Sequence, residues 1–174
     1  MIEPMDWSTA ATLPAAARMY LRDPDVALAE LAGAVDPAEV ELWCLERHVL
    51  EGGEVWQEVI ALAFGSLYLW HGEDDLDEGV PAGSMTSAVR VIPITSVVEV
   101  GMRQVRHAGQ PLRAEAYVAF GQFDHKPDPR DTDGERMIVG NERIVIGKSV
   151  EEHGAGQVAR AWEFATAVAN RLKT

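Results

Sequence analysis

A single cysteine, Cys44, stands in the 174 residues, so neither an internal disulfide framework nor a cysteine-based zinc site can be built. Long apolar runs are missing too. None approaches the roughly 18 residues that cross a bilayer as a helix. Residues Met1 to Tyr20 hold neither a basic n-region nor an apolar h-region, so no secretory signal is expected and the expected compartment is the cytoplasm. Basic charge is scarce in the first half: residues 1–87 hold 17 acidic and 3 basic side chains, net -14, whereas residues 88–174 hold 11 and 12. The whole chain carries -13. Sequence-independent nucleic-acid binding needs a cationic footprint, so no nucleic-acid partner is expected. An anionic membrane surface is disfavoured for the same reason, and no membrane partner is expected.

What is present is the composition of a folded soluble protein, 47% apolar and 25% charged. The length suits one domain, or one domain with a small appendage, and can bury a core without staples. The chain opens with helical signals. Ser8 or Thr9 can cap a first helix running to about Tyr20, with Pro14 either within its first turns or splitting it. Asp23-Pro24-Asp25 supplies an N-cap, a proline at the first helical position and an early acid, and Gly33 is a stop. The character changes at Asp36-Pro37. Val40 to Leu50 reads as a strand, with a helix as the alternative, and strands are predicted over Val55 to Phe64 and Leu67 to Trp70, with Gly52-Gly53 as a hairpin turn. An acidic loop follows over Glu73 to Gly83. Val89 to Val105 reads as one strand region, kinked or at an edge near Pro93. There Ile94, Ser96, Val98, Val100 and Met102 share the parity opposite Thr95, Val97, Glu99, Gly101 and Arg103, and only one face looks fit for a core. His107-Ala108-Gly109-Gln110 is a turn. Leu112 to Phe120 is a strand with Leu112, Ala114, Ala116, Val118 and Phe120 on one face. A long polar loop spans Gly121 to Gly134, and Met137 to Val139 and Arg143 to Ile146 are two short strands. The final segment places Val158, Ala161, Trp162, Ala165, Val168, Ala169 and Leu172 on one helical stripe.

Short helices, about seven strands and one closing helix give an α+β chain dominated by antiparallel sheet. Strands do not alternate with helices, which disfavours a doubly wound sheet. The layout resembles the pleckstrin-homology-like fold, in which seven antiparallel strands form a partial barrel capped by a C-terminal helix. The residues that carry the resemblance are the Val55 to Trp70 double strand, Arg90-Val-Ile-Pro-Ile-Thr-Ser-Val-Val-Glu-Val and Trp162-Glu-Phe-Ala. It covers roughly residues 40 to 172. The division it suggests is a helical extension over 1–36 and a barrel domain with its helix over 37–174. With the segment His71-Gly72-Glu73-Asp74, the chain is also similar to a family of actinobacterial proteins, a resemblance that implies no particular activity.

Few residues group as chemistry would require. Glu73, Asp74, Asp75, Asp77 and Glu78 could gather a hard cation, but such a run on a loop reads first as a solvated surface. His71 at its edge reads as a strand-end residue. Asp128, Asp131, Asp133, Gly134 and Glu135 look like a calcium loop until the spacing is tested: Pro129 falls at its first position and Gly140 at its twelfth. Asp124 and His125 could be an acid–base pair, without a nucleophile motif beside them. Cys44 sits between Trp43 and Leu45 and reads as an inert core thiol. No metal site and no cofactor are expected. The one local cationic group is Arg103, Arg106, His107 and Arg113, around a predicted hairpin turn, which could take a carboxylate or phosphate. In phosphoinositide-binding pleckstrin domains the basic residues sit at the first hairpin. Here that hairpin is Glu51-Gly-Gly-Glu54, which argues against phosphoinositide recognition.

The function expected from this pattern is a non-catalytic protein- or ligand-binding module of the cytoplasm, with another protein as a candidate partner. The alternative is a small-molecule hydrolase, of a metal-dependent phosphodiesterase kind, using the acids and histidines of the 71–78 and 121–135 loops. A homo-oligomer is a third expectation, through the N-terminal helices or the edge strand near Pro93.

Overall fold

The computed structural model describes residues 6–77, 79–121 and 141–173. A 3-10 turn over Trp7–Thr9 is capped by the Asp6 carboxylate, which accepts from the Ser8 N–H at 3.0 Å. It leads to helix α1, Leu13–Tyr20, and helix α2, Pro24–Ala32. The helix predicted from Ser8 or Thr9 is split into two pieces, one of the two outcomes that Pro14 allows. Thr12 makes the helical cap, and Pro14 falls in the first turn, where its missing N–H costs nothing. α2 begins at Pro24 and is capped at its end by Gly33, as the sequence suggests.

Seven strands follow: β1 Leu42–Val49, β2 Val55–Ala63, β3 Ser66–Asp74, β4 Met85–Pro93, β5 Val97–His107, β6 Gln110–Gly121 and β7 Asn141–Ser149. They form two antiparallel sheets, β1-β2-β3-β4 and β5-β6-β7, which do not close into a barrel. Helix α3, Val150–Arg171, ends the chain and packs on β5, β6, β7 and β1. The chain is thus α+β, mainly antiparallel sheet, as its element order implied.

Two boundaries and one helix face differ from expectation. The segment Val89 to Val105 is two strands in two sheets. Pro93 ends β4, a 3-10 turn over Ile94–Ser96 redirects the chain, and the Ile94 N–H is anchored on the Gly65 carbonyl at 2.9 Å. A register shift between Val97 and Glu99 then breaks the strand's alternation, burying Val97 and turning Val98 out to solvent. β3 does not stop at Trp70. It runs through His71, Gly72 and Glu73 to Asp74 because β2 flanks it as far as Glu73 and β4 as far as Asp74. The buried stripe of α3 is Gln157, Val158, Ala161, Phe164, Ala165 and Val168, with Trp162 only half-buried and Leu172 exposed. The helix is turned so that Phe164 fills the core. The predicted Met137 to Val139 strand lies outside the described residues, and Arg143 to Ile146 lies within β7.

Sheet β1–β4 is covered on both faces. One face packs under α1 and α2: the Trp70 indole N–H donates to Glu30 of α2 at 2.7 Å, and Arg47 Nη1 donates to the Tyr20 carbonyl at 3.2 Å. The other carries Leu42, Cys44, Ile60, Leu62, Leu67, Leu69 and Ile92, in register across the strands. Burial on both sides explains why β2 is apolar nearly throughout its second half. Trp7, Leu13, Tyr20 and Leu31 belong to the same core cluster as Ile60, Trp70, Phe120, Ile146 and Phe164. The N-terminal helices therefore share one core with the sheets. Among the described residues no helix is long and apolar enough to cross a membrane.

Candidate functional site

The predicted cationic group is only partly brought together. Arg103 lies opposite Glu115 and Val105 opposite Arg113 in the β5–β6 pairing, and these four line a shallow cleft of about 60 Å³. Glu115 sits 3.7 Å from Arg113, so the cleft carries its own counter-charge. Arg106 is turned elsewhere. Its Nε donates to Gln104 Oε1 at 2.7 Å, two residues back along the strand and thus on the face opposite Arg103. His107 is exposed at the strand end.

Asp74 and Asp75, at the end of β3, are committed to holding the fold. Asp74 accepts from Arg22 Nη1 at 2.7 Å and from the Val55 N–H at 2.8 Å. The Arg22 hydrogen bond first, and the Val55 N–H after it, hold its carboxyl below the usual range. Asp75 accepts from the Asp77 N–H at 3.0 Å and from the Thr86 hydroxyl at 2.8 Å, and both lower its pKa. Glu78, the Asp124–His125 pair and the Asp128 to Glu135 run lie outside the described residues. Cys44 is buried, and burial pushes its thiol up, away from the reactive thiolate.

A different group of chemical residues emerges from the register. On the core-facing side of β1–β4 the two apolar rows give way to two polar ones. Glu46 of β1, Glu58 of β2 and His71 of β3 lie directly opposite one another in the first. His48, Trp56 and Glu73 form the second. His71 stands between two carboxylates, with Nδ1 3.5 Å from Glu58 and Nε2 3.5 Å from Glu73. The Trp56 ring lies between His48 and His71, at centroid distances of 5.2 and 5.4 Å.

Lys148, near the end of β7, reaches the same row from the other sheet. Its side chain is 0% exposed, and Nζ donates to Glu46 Oε2 and to the Leu45 carbonyl, both at 2.7 Å. Its ammonium also lies 5.8 and 5.5 Å from the Trp7 and Tyr20 ring centres. This one side chain ties β7 to β1, the strands at the open edges of the two sheets. Glu46, 4% exposed, is left with Oε1 unpartnered. The Gly147 N–H also lowers its pKa, after Lys148 and His48.

The electrostatics follow from this crowding. Burial raises the Glu46 pKa above its ordinary value, and the Lys148 ammonium opposes that shift without cancelling it. Burial also raises Glu58, with the Glu46 charge adding to the rise and His71 opposing it. His153, near the start of α3, is lowered by burial and then by Lys148, which favours the neutral ring. The Ser149 N–H donates to its Nδ1 at 3.3 Å.

Two of these residues share a strand parity with apolar ones in the sequence: Glu46 and His48 follow Leu42 and Cys44. Polar side chains on an apolar alternation were the available signal. The rest is hidden from the sequence because the predicted strand stops at Trp70, which leaves His71 without its pairing to Glu58.

No family model matches this chain, and no curated protein or solved structure does either.

Proposed function

We propose that this chain is a non-catalytic binding module of pleckstrin-like fold, and that it holds its partner at the polar end of the β1–β3 inner face. The strand order and the closing helix support the fold. The observation that carries the site is the Glu46–Glu58–His71 row. Two carboxylates directly opposite each other on neighbouring strands repel, and here both are largely removed from water. Such an arrangement costs stability, which is the usual mark of a place kept for interaction. Glu46, Glu58, His71, His48, Trp56 and Glu73 offer charge, hydrogen bonds and an aromatic face. Thr86, in register with Glu73, has the one hydroxyl of these rows, and it is engaged with Asp75. That favours binding over nucleophilic catalysis.

The acid–base alternative draws on His71, placed between Glu58 and Glu73 as a general base would be. One experiment separates the two. The tagged wild-type chain and its Trp56→Ala variant are purified natively, and companion proteins and small molecules are identified by mass spectrometry. A stoichiometric companion kept by the wild type and lost by the variant is the expected result. A companion retained equally by both would overturn the proposed face. Hydrolytic turnover abolished by Glu58→Gln would replace the binding module with an enzyme.

A further inference from the structure

Four strands end a sheet: β1 and β4 in one, β5 and β7 in the other. Lys148 and Glu46 join β7 to β1. Arg90 of β4 reaches the other sheet, its guanidinium 5.3 Å from the Phe120 ring centre. Among the described residues β5, Val97–His107, pairs with β6 alone. Alternate residues of such an edge point their N–H and C=O groups away from the sheet, where another strand can take them. The edge is also partly apolar: Val98, Met102 and Val105 are 62%, 38% and 43% exposed.

The charges on this edge select its occupant. Between the shifts at Val97/Glu99 and Val105/Arg106, β5 is regular from Glu99 to Val105. Glu99, Gly101 and Arg103 share its outer side, opposite Ala119, Tyr117 and Glu115 of β6. Among the described residues neither Glu99 nor Arg103 belongs to an ion pair. We infer that two copies of this chain associate through β5, antiparallel about a two-fold axis at Gly101, joining their three-stranded sheets into one. In that register Glu99 of each copy stands opposite Arg103 of the other, so the edge is self-complementary. An axis at Glu99 or at Arg103 sets like charges together, and one at Val100 or Met102 faces Arg103 with Val97 or Gly101. Gly101 brings no side chain to the axis, and the Tyr117 ring fills the space one would need. On the inner side Val100 meets Met102 of the other copy. α3 flanks this contact through Thr166, whose Oγ1 lies 3.6 Å from the Met102 sulfur. Charges on an edge ordinarily keep other strands away; here one register turns them into attraction. β5–β7 and α3 all lie in residues 88–174, with 11 acidic and 12 basic side chains, so the copies meet without the repulsion that the acidic first half would bring. The surface is on the other sheet from the Glu46 row and does not rest on the reading of that row.

The test is sedimentation equilibrium of the full chain up to about 1 mM, since a strand pairing this short sits at the weak end of specific interfaces. The expected result is a monomer–dimer equilibrium that approaches twice 19.0 kDa. By symmetry one substitution alters both charge contacts, so Glu99→Arg or Arg103→Glu alone should weaken association by about tenfold or more. An equimolar mixture of these two variants should recover it, because each supplies the charge that the other lacks. The double variant Glu99→Arg, Arg103→Glu should recover it too. Arg106→Gln, beyond the second register shift, should leave it unchanged. Hydrogen exchange followed by mass spectrometry should show residues 97–107 more protected as the concentration of the unaltered chain rises, a readout that decides the matter even where a charge reversal disturbs folding. A chain that stays monomeric at the highest concentration overturns the inference. A dimer that both single reversals retain, or one whose 97–107 segment exchanges equally fast at every concentration, places the contact elsewhere and overturns it as well. Loss in both single variants without recovery in their mixture refutes the pairing about Gly101.

Discussion

Replacing Lys148 by methionine should be among the most damaging single changes to this fold, and its size can be worked from the geometry. The ammonium and the Glu46 carboxylate are 2.7 Å apart, at 0% and 4% exposure. At an effective dielectric of about 20 their attraction is about 6 kcal/mol before desolvation is counted. Methionine keeps most of the stem volume but leaves the Glu46 charge and the Leu45 carbonyl without their donor. Breaking one side of a buried pair costs about 3–5 kcal/mol, against a total stability of about 5–15 kcal/mol. Glu46 can escape part of this cost by taking a proton. Its folded pKa already lies above the ordinary 4.5, and loss of Lys148 raises it further. A carboxyl with a raised folded pKa binds more protons folded than unfolded, so the destabilisation sets in above about pH 4.5 and deepens as pH rises toward the folded pKa. Urea melts followed by tryptophan fluorescence at pH 5 and pH 8 therefore should show the larger loss at pH 8. In a thermal melt the pH 8 loss corresponds to about 6–20 °C. The double variant Lys148→Met, Glu46→Leu should recover most of it, because an apolar pair satisfies the same space without a stranded charge. A loss below about 1 kcal/mol at pH 8, or a double variant no more stable than the single, would refute the reasoning.

Glu58→Gln should stabilise the chain at pH 7, since it removes a carboxylate whose pKa burial raises and which faces Glu46; the gain should shrink as pH falls through the folded value and vanish below the unfolded 4.5, where the wild-type carboxyl is protonated in both states, and urea midpoints across pH 3–8 check it. Asp74→Asn should do the opposite. Its folded pKa is lowered by Arg22 and the Val55 N–H, so its contribution is present above the unfolded value of 3.8 and is lost as pH falls through the folded one. The variant's deficit should be full at pH 7 and shrink as pH falls below 3.8 toward the folded value in the same assay. Phe64 holds φ at 47° in a two-residue turn with Gly65 and is 67% exposed. Phe64→Asn should gain about 0.5–1 kcal/mol, because asparagine adopts this left-handed conformation more readily, and no rise in melting temperature would contradict that. Gly72 lies against the buried Trp70 indole, where an added Cβ would come within 2.5 Å of the ring. Gly72→Ala should cost about 1–3 kcal/mol by overpacking, and an unchanged urea midpoint would show that the ring can move.

Much of the architecture was written locally. The Asp23-Pro24 start and Gly33 end of α2, the Gly52-Gly53 and Ala108-Gly109 turns, and the apolar alternation from Ala114 to Phe120 each depend on a few neighbouring residues, because caps, turns and strand faces are short-range geometry. The order of elements, and with it the α+β class, followed from those signals. What the sequence left undecided depends on partners distant in the chain. That β3 continues to Asp74 is a consequence of β2 and β4 lying on either side of it. That Pro93 to Ser96 is a crossing between sheets depends on where the Ile94 N–H finds its carbonyl. Phe164 rather than Trp162 enters the core because the sheets leave room on that side of α3. The candidate site belongs wholly to this second class. Arg103, Arg106, His107 and Arg113 are close in sequence, yet strand alternation and the shift between Val105 and Arg106 send them to different sides. Glu46, Glu58, His71 and Lys148 are spread over 103 positions, and only antiparallel register and the meeting of two sheet edges set them in one row. Side-chain chemistry is carried by each residue alone, but the desolvation and charge pairing that give it a use exist only after the strands have paired.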